Sequence, residues 1–182
     1  MTDVSPRGSQ LIKLRTARDS DALCLGVLGT QVFLETYATE GIRPAIAEEV
    51  LRSFSTLAME AVLARPSVRV LVAETNGHLI GFAQVTIDAT QILVTTARPA
   101  ELDRLYVQER FTGAGLGGRL LRAAEEGASE LGASALWLTP WIHNKRALSF
   151  YAKHDYADLG ATWFEMDRER HQNRVLAKTL AA

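Results

Sequence analysis

The sequence predicts an α/β (α+β) fold in which helices cover a mixed β-sheet. The predicted elements follow the order β-α-α-β-β-β-α-β-α-β-β, which contains two hairpins and two strand–helix–strand crossovers. Hairpins produce antiparallel pairs and crossovers produce parallel pairs, so the sheet is expected to be mixed. A doubly wound fold would alternate strands and helices more regularly. The predicted strands are residues 11–17, 67–75, 78–88, 100–107, 133–141, 156–166 and 174–180, the last two joined by the polar segment 167–173.

Local signals place the helices between these strands. Asp-Ser-Asp at 19–21 supplies N-cap chemistry for the first helix, and Gly41 is a suitable stop. Pro44 suits the first turn of the second helix, which is predicted to continue without a break. The Asn-Gly pair at 76–77 is a strong hairpin signal. The predicted helices are residues 22–41, 44–65, 119–131 and 144–155.

Length and composition indicate one globular domain. The chain has 182 residues, of which 47% are apolar and 23% are charged, which suits a well-buried core. We expect residues 11–182 to form this domain and the polar residues 1–10 to be flexible. No apolar run approaches the ~20 residues needed to cross a bilayer, and the N-terminus lacks an apolar signal core. The prediction is therefore a cytoplasmic protein without a membrane partner.

Charge and cysteine content bear on the expected partners and on the cellular compartment. The formal net charge is −1, and the absence of a basic stripe argues against a nucleic-acid partner. The single cysteine, Cys24, excludes an internal disulfide and suits a reducing compartment. Because Leu23, Leu25 and Val27 surround it, we predict a buried structural thiol rather than a reactive one.

A glycine-rich junction, "RFTGAGLGG" at residues 110–118, separates a predicted strand from a predicted helix. Glycine tolerates positive φ and lets a ligand approach the backbone, and a helix N-terminus offers unpaired N–H groups and partial positive charge. Together these features suit a phosphate, although a tight turn without a ligand would use the same residues. No Lys-Ser/Thr pair follows the glycines, as a Walker A loop requires. A dinucleotide site is disfavoured because no acidic residue ends a strand about 20 residues later.

Three segments together resemble the GNAT superfamily of N-acetyltransferases. "RFTGAG" matches the superfamily's Arg/Gln-x-x-Gly-x-Gly/Ala loop, which binds the pyrophosphate of acetyl-CoA, and "ELDRLYV" resembles its fourth strand. "NKRALSFYAKHDY" resembles its Asn-x-x-Ala-x-x-Phe-Tyr-x-Lys-x-Gly-Phe segment and departs from it at Asp155 and Tyr156. The resemblance implies the GNAT fold, with a mostly antiparallel central sheet whose strands 4 and 5 splay apart. It also implies acetyl-CoA as a cosubstrate and no metal.

The resemblance further implies which residues hold acetyl-CoA. N–H groups of residues 111–117 would bind the diphosphate, while the preceding strand would pair with the pantetheine arm and polarise the thioester carbonyl with an amide. Asn144 would bond to the arm, and Lys153 would reach a phosphate unless it is only a solvated surface lysine. The full predicted cofactor-binding set is Leu105, Tyr106, Val107, Arg110, Phe111, Thr112, Gly113, Ala114, Gly115, Leu116, Gly117, Asn144 and Lys153.

Acetyl transfer to an amine needs a base for the amine and a proton donor for the departing thiolate. The resemblance assigns the donor role to Tyr151, although a tyrosine on an apolar helix is often a core residue. Glu101 and Asp103 are both candidate bases, because residues two apart on a strand face the same side. The alternatives are a solvent-facing strand or ion pairs with Arg98 or Arg104.

The superfamily builds its acceptor pocket from the first two helices and the closing hairpin. An acidic mouth in this region would attract a cation, but Glu48 and Glu49 are predicted to be ordinary solvated helix surface. The predicted substrate-binding residues are Phe33, Tyr37, Glu40 and Trp141.

A finer resemblance to bacterial spermidine/spermine N-acetyltransferases rests on Trp137, Leu138, Trp141 and the Lys-Thr-Leu at 178–180. The residues at 142–143 are Ile-His where such enzymes often have Glu-Lys. The resulting prediction is acetyl transfer to a small-molecule primary amine, with a polyamine as the candidate acceptor, by direct attack in a ternary complex. The alternatives are a protein N-terminal or lysine acetyltransferase and a non-catalytic acyl-CoA-binding module. Formation of a homodimer stays open.

Overall fold

A computed structural model of the protein describes residues 11–166 and 169–181, so the predicted flexible segment 1–10 lies outside the described residues. The described residues form one seven-stranded sheet in the order β1-β2-β3-β4-β5-β7-β6. The strands are β1 (Lys13–Thr16), β2 (Val68–Thr75), β3 (His78–Ile87), β4 (Pro99–Val107), β5 (Ala135–Leu138), β6 (Ala157–Met166) and β7 (Glu169–Thr179). The helices are α1 (Ala22–Tyr37), α2 (Pro44–Phe54), α3 (Thr56–Leu63), α4 (Leu116–Glu130) and α5 (Lys145–Ala152).

The sheet is mixed and mostly antiparallel, which confirms the predicted fold class. The pair β4–β5 is parallel, and the other neighbouring pairs of described strands are antiparallel. The β4–β5 ladder ends where Glu101 lies opposite Trp137. Beyond that pair β4 continues to Val107 and remains paired with β3 on its other edge. The two strands therefore separate, leaving one edge of the second half of β4 facing a gap.

A β-bulge interrupts β4 beside this gap. Gln84 pairs with Arg104 and Val85 pairs with Leu102, so Asp103 has no partner in the ladder. An extra residue of this kind breaks the strict alternation of side chains along a strand.

Two apolar cores lie on opposite faces of the sheet. On one face, Leu116, Leu120 and Leu121 of α4 are almost fully buried in a cluster that also contains Tyr151 of α5. On the other face, Leu25 of α1 and Met59 of α3 are fully buried in a second cluster. Burial of each such side chain contributes about 1.5–3 kcal/mol. These cores hold α1–α3 and α4–α5 against the two faces of the sheet.

The predicted second helix is wrong in one respect, because it is two helices. Ser55 has extended backbone (ψ 154°), and its side chain accepts a hydrogen bond from the Ala58 amide, which makes it the N-cap of α3. Ser residues favour this capping position over a helix interior. The break lets the Phe54 carbonyl lie directly against Gly26 of α1, where a Cβ atom would clash.

Three other predictions need correction. Cys24 is exposed rather than buried, because α1 buries the stripe that contains Ala22, Leu25 and Leu28 and turns Cys24 to the opposite side. The strand predicted over 133–141 ends at Leu138. The segment predicted as a polar link, 167–173, belongs to β7 from Glu169 onward, since β6 and β7 pair along the hairpin. Within residues 11–166 and 169–181, no helix is both long and apolar enough to cross a membrane.

Candidate active site

The four glycines of the loop form two pairs that differ in their surroundings. Gly113 (φ 78°) and Gly115 (φ 80°) have left-handed backbone, and a Cβ atom added at either would meet nothing within 4 Å. Both therefore face open space at the N-terminus of α4, where amide N–H groups lack helical partners. Gly117 and Gly118 lie inside α4, where an added Cβ would be 3.5 Å from Phe150 and 3.1 Å from His154. The first pair leaves open space before α4, and the second pair lets α5 pack closely against α4.

Residues preceding the glycines tie the loop to its surroundings. The Thr112 hydroxyl donates to the Glu109 carbonyl oxygen at 2.7 Å, and the Arg110 guanidinium lies 4.7 Å from the centre of the Phe111 ring. Arg146 of α5 donates to the Glu109 carboxylate at 2.7 Å. A surface cavity of about 530 Å³ adjoins this loop, lined by Gln31, Glu35, Gln108, Glu109 and Arg110. Arg110 is the cationic residue of this lining, which also contains the carboxyl groups of Glu35 and Glu109.

The remaining predicted cofactor residues occupy different environments. Leu105, Tyr106 and Val107 form the end of β4 at the gap beside β5. The Asn144 side-chain oxygen accepts from the Ala147 amide at 3.0 Å and so caps α5. Its side-chain nitrogen is the group left to donate to a ligand. Lys153 is exposed at the C-terminal end of α5.

Three tyrosines from three elements influence one another electrostatically. Tyr151 of α5 is only 7% exposed, and its ring contacts those of Phe150 and Tyr156 at centroid distances of 5.1 and 5.5 Å. Burial raises the pKa of the Tyr151 phenol, and the nearby phenols of Tyr37 and Tyr106 raise that pKa further. By burial Tyr151 is a core residue, and tyrosines of α1 and β4 influence the pKa of its phenol. It stays protonated at neutral pH, as a proton donor must.

The two candidate bases occupy one electrostatic environment. Burial, followed by the charge of Asp103, raises the pKa of Glu101 to about 7. Asp103 retains solvent access, yet reduced solvation raises the pKa of its carboxyl, and a 2.8 Å hydrogen bond from the Thr86 hydroxyl opposes this shift. A base with a pKa near the operating pH is well suited to proton transfer. The pKa shifts therefore favour Glu101 over Asp103.

The arginines considered as partners for these carboxylates bond elsewhere. Arg98 pairs with Asp88 at 3.1 Å. Arg104 donates to the Gln84 side-chain oxygen at 2.6 Å and lies 4.8 Å from the centre of the Phe54 ring. Its charge lowers the pKa of Asp103 only as a secondary contribution.

Three of the four predicted acceptor residues come together. Phe33 and Tyr37 of α1 have ring centroids 4.7 Å apart, and Tyr37 lies 6.0 Å from Trp141 in the connection between β5 and α5. Glu40 is exposed in the loop that follows α1. Phe33, Tyr37 and Trp141 therefore form a row of aromatic rings from α1 to the β5–α5 connection.

Glu49, predicted to be solvated helix surface, is instead largely buried and paired with Arg52. Its side chain is 14% exposed, whereas the neighbouring Glu48 is exposed as predicted. Burial is the main cause of the raised pKa of Tyr106, and the Glu49 carboxylate makes a smaller contribution to it than Tyr37 or Arg104. The signal was present in helix periodicity, since the inner face of α2 consists of Ala45, Ile46, Glu49, Val50, Ser53 and Phe54.

Comparison with known proteins identifies the family. A sequence model of the acetyltransferase (GNAT) family matches residues 36–156. The chain belongs to the GNAT family of acetyltransferases. It is 33% identical to N-acetyltransferase YhfO of Bacillus subtilis (strain 168) over 147 residues, covering 81% of this chain and 91% of the relative. It is 23% identical to an N-acetyltransferase encoded in the pepI 3′ region of Lactobacillus delbrueckii subsp. lactis, covering 93% and 98%.

Solved structures agree on the GNAT fold. The PaiA N-acetyltransferase of Thermoplasma acidophilum, solved with coenzyme A, has a TM-score of 0.72 and 22% identity and covers 93% of this chain and 99% of the PaiA chain. YncA of Salmonella typhimurium, solved with acetyl-CoA, has a TM-score of 0.64 and 16% identity, with 93% and 94% covered.

This GNAT protein is an N-acetyltransferase with acetyl-CoA as its cosubstrate. The described residues contain no group of three or more His, Cys, Asp or Glu placed to bind a metal. The four relatives named here carry no acceptor in their names, so the finer polyamine resemblance stays a prediction.

Proposed function

We propose that this acetyltransferase transfers the acetyl group of acetyl-CoA to a primary amine of a small molecule by direct attack in a ternary complex. The proposal depends mainly on the positions of Glu101 and Tyr151 relative to the gap between β4 and β5. Glu101 stands at the last pair of the β4–β5 ladder. Tyr151 is buried in the same cluster as Leu102 of β4 and Leu136 of β5, and the phenol of Tyr106, on β4 beyond that pair, raises the pKa of Tyr151. A base and an acid thus flank the path that a thioester would follow.

Acetyl-CoA would be held by backbone groups and by few side chains. N–H groups of residues 111–117 would bind the diphosphate at the N-terminus of α4, with Arg110 adding positive charge. The free edge of β4 at Leu105, Tyr106 and Val107 would pair with the amides of the pantetheine arm, and the Asn144 side-chain nitrogen would donate to it. One β4 amide would donate to the thioester carbonyl oxygen and stabilise the oxyanion.

In the reaction, the acceptor amine passes a proton to the Glu101 carboxylate, directly or through water. The nitrogen lone pair then attacks the thioester carbon, and the C–N bond forms as the carbonyl becomes a tetrahedral oxyanion. As this intermediate collapses the C–S bond breaks, the nitrogen loses its second proton to water, and Glu101 returns its proton to solvent. The Tyr151 hydroxyl gives its proton to the departing CoA sulfur, and solvent later returns a proton to the phenolate. An amine has a pKa of about 10, so a base that is ionised above pH ~7 supports attack near neutral pH.

Contacts across the acceptor side favour a small acceptor over a protein segment. The Arg43 side chain, in the α1–α2 loop, donates to Glu169 at the start of β7 at 2.8 Å. Tyr37 and Trp141 make a second contact between α1 and the β5–α5 connection. A peptide acceptor would need an open groove at this position. A polyamine is the acceptor class that the finer sequence resemblance and the acidic residues of α1 and α2 support.

An amine panel tests the proposal. The purified protein is incubated with acetyl-CoA and separate small amines, polyamines, lysine peptides and free N-terminal peptides, and CoA release is followed with a thiol reagent. We expect amine-dependent CoA release with one or more small amines and little with peptides. Release only with peptides would assign a protein acetyltransferase. Binding of acetyl-CoA by calorimetry without release in any arm would assign a non-catalytic module.

A further inference from the structure

Tyr156 lies directly before β6 and packs against the proposed acid, Tyr151. It is 5% exposed, and its ring meets the Tyr151 ring edge-to-face at a centroid distance of 5.5 Å. The Tyr156 backbone N–H also donates to the Tyr151 carbonyl oxygen at 3.1 Å. The Phe150 ring meets the Tyr151 ring edge-to-face as well, at 5.1 Å. The orientation of the Tyr151 ring therefore depends on how firmly these two neighbouring rings are held.

The Tyr156 hydroxyl is anchored outside this aromatic cluster. It donates to the Glu125 carboxylate of α4 at 3.0 Å. Lys178 of β7 donates to both oxygens of the same carboxylate at 3.0 Å, and its ammonium lies 5.8 Å from the centre of the Tyr156 ring. The Glu125 and Lys178 side chains are only 15% and 27% exposed, so salt screens this ion pair less than it screens a pair on the open surface. One phenol thus connects the start of β6 to both α4 and β7.

The apolar packing of Tyr156 does not itself require the hydroxyl, because a phenylalanine ring would fill the same space. A buried hydroxyl needs a hydrogen-bond partner, and a bond at the far end of the ring restrains the ring plane as well as its position. Edge-to-face contacts depend on the angle between the two planes, which is 65° for Tyr151 and Tyr156. Restraint of the Tyr156 ring therefore also restrains the Tyr151 ring. A misplacement of about 1 Å can cost an enzyme roughly 10²-fold in rate.

We propose that Tyr156 is a positioning residue that, anchored by Glu125 and Lys178, holds the Tyr151 ring where its hydroxyl can protonate the leaving thiolate. In this role Tyr156 touches neither substrate nor cosubstrate, and no proton passes through it. The inference rests on the proposed function, because it requires Tyr151 to be the acid. It adds a requirement of its own: removal of the Tyr156 hydroxyl slows the reaction only while the Tyr151 hydroxyl is present.

Tyr156→Phe, alone and combined with Tyr151→Phe, tests this requirement. In Tyr156→Phe we expect kcat to fall about tenfold, with little change in the Kd for acetyl-CoA or in the acceptor KM. In the Tyr151→Phe background the same substitution should cause no further fall, because residues in contact that act through one group are not additive. Ser129→Ala is the matched control. It removes a different α4 hydroxyl, which donates to the Ala181 carbonyl oxygen at 2.7 Å, and should keep the wild-type kcat.

Variants of Glu125 test the same anchor from the α4 side. Glu125→Met removes the acceptor and should lower kcat as Tyr156→Phe does, whereas Glu125→Gln keeps an accepting oxygen and should retain most of the wild-type kcat. Fluorine NMR gives a readout that needs no activity, with the four tyrosines of the chain replaced by fluorotyrosine. The Tyr151 signal, identified by its loss in Tyr151→Phe, should shift or broaden in Glu125→Met and stay unchanged in Ser129→Ala. All rates are measured well below the melting temperature of each variant.

Three results would overturn the inference while leaving the proposed function in place. They are a wild-type kcat in Tyr156→Phe, an equal proportional loss of kcat in the Tyr151→Phe background, and an unchanged Tyr151 signal in Glu125→Met. If instead Tyr151→Phe has the wild-type kcat, or no amine in the panel is acetylated, the proposed function fails first and the inference fails with it.

Discussion

Glu101 and Trp137 face each other at the last pair of the β4–β5 ladder, and the two strands separate immediately beyond them. This relationship places a half-buried carboxyl group at the start of the gap. The Asp103 bulge lies two residues further along β4 and brings a second acidic group near the first. The geometry of two strands thus creates both an opening for an extended cosubstrate and an environment that raises the pKa of a carboxyl group.

Tyr151→Phe separates catalysis from packing. The substitution keeps the buried ring and removes only the hydroxyl. If Tyr151 protonates the leaving thiolate, kcat should fall roughly 10²–10⁴-fold, while the Kd for acetyl-CoA and the acceptor KM change little. The three quantities are measured on one preparation, together with its melting temperature. A kcat near that of wild type would make Tyr151 a core residue only.

Gly115→Val should weaken cosubstrate binding. Gly115 has φ 80°, a conformation that a β-branched residue adopts only with strain, and its missing Cβ leaves open space at the N-terminus of α4. We expect the affinity for acetyl-CoA to fall at least tenfold, or about 1.4 kcal/mol, when measured by calorimetry. Gly127→Ala is the control, because Gly127 lies within α4 and an added Cβ there meets nothing within 4 Å. Equal acetyl-CoA affinities in both variants would contradict a cosubstrate role for the loop.

Glu101→Gln should remove a pH dependence from the reaction. The wild-type kcat/KM is expected to rise as pH increases through about 7, because Glu101 then loses its proton and can act as a base. In the variant that rise should be absent, and the loss of activity should shrink at high pH, where the free amine is abundant. A loss that is constant across the pH profile would indicate that Glu101 positions the substrate instead.

Glu101→Gln should lower activity but raise thermal stability above pH ~7. The pKa of Glu101 is raised in the folded state to about 7, so the folded protein binds a proton more tightly than the unfolded chain. Its contribution is therefore favourable at low pH and is lost as pH rises through about 7. Glu101→Gln should melt at a higher temperature than wild type at pH ~8, with the difference disappearing near pH ~4. An unchanged or lower melting temperature at the higher pH would mean that the carboxyl is not destabilised by folding.

Local patterns made much of the fold predictable. The element order, the Asn-Gly hairpin and the glycine loop all depend on residues close in sequence, and the structure contains the elements in the predicted order. Features set by tertiary contact were missed. The break at Ser55 accompanies close packing of Phe54 on Gly26, and the exposure of Cys24 depends on which side of α1 meets the sheet.

In the candidate site, too, the features set by local sequence were predictable and those set by tertiary contacts were not. Its loop and its acidic strand could be predicted from motifs, because their residues are close in sequence. The bulge at Asp103 depends on pairing between β3 and β4, which the motif does not encode. The largely buried position of Glu49 follows from helix periodicity, but its effect on the pKa of Tyr106 depends on how α2 packs on the sheet.

Acetyl transfer to an amine nitrogen is the central claim, and product analysis tests it most directly. The best amine of the panel is incubated with acetyl-CoA carrying an isotopic label in its acetyl group, and the amine and CoA are quantified by mass spectrometry. The account predicts one labelled N-acetyl amine for each CoA released, and neither product from acetyl-CoA and amine without protein. Release of CoA without labelled N-acetyl amine, or bound acetyl-CoA that yields no product with any amine, would contradict it.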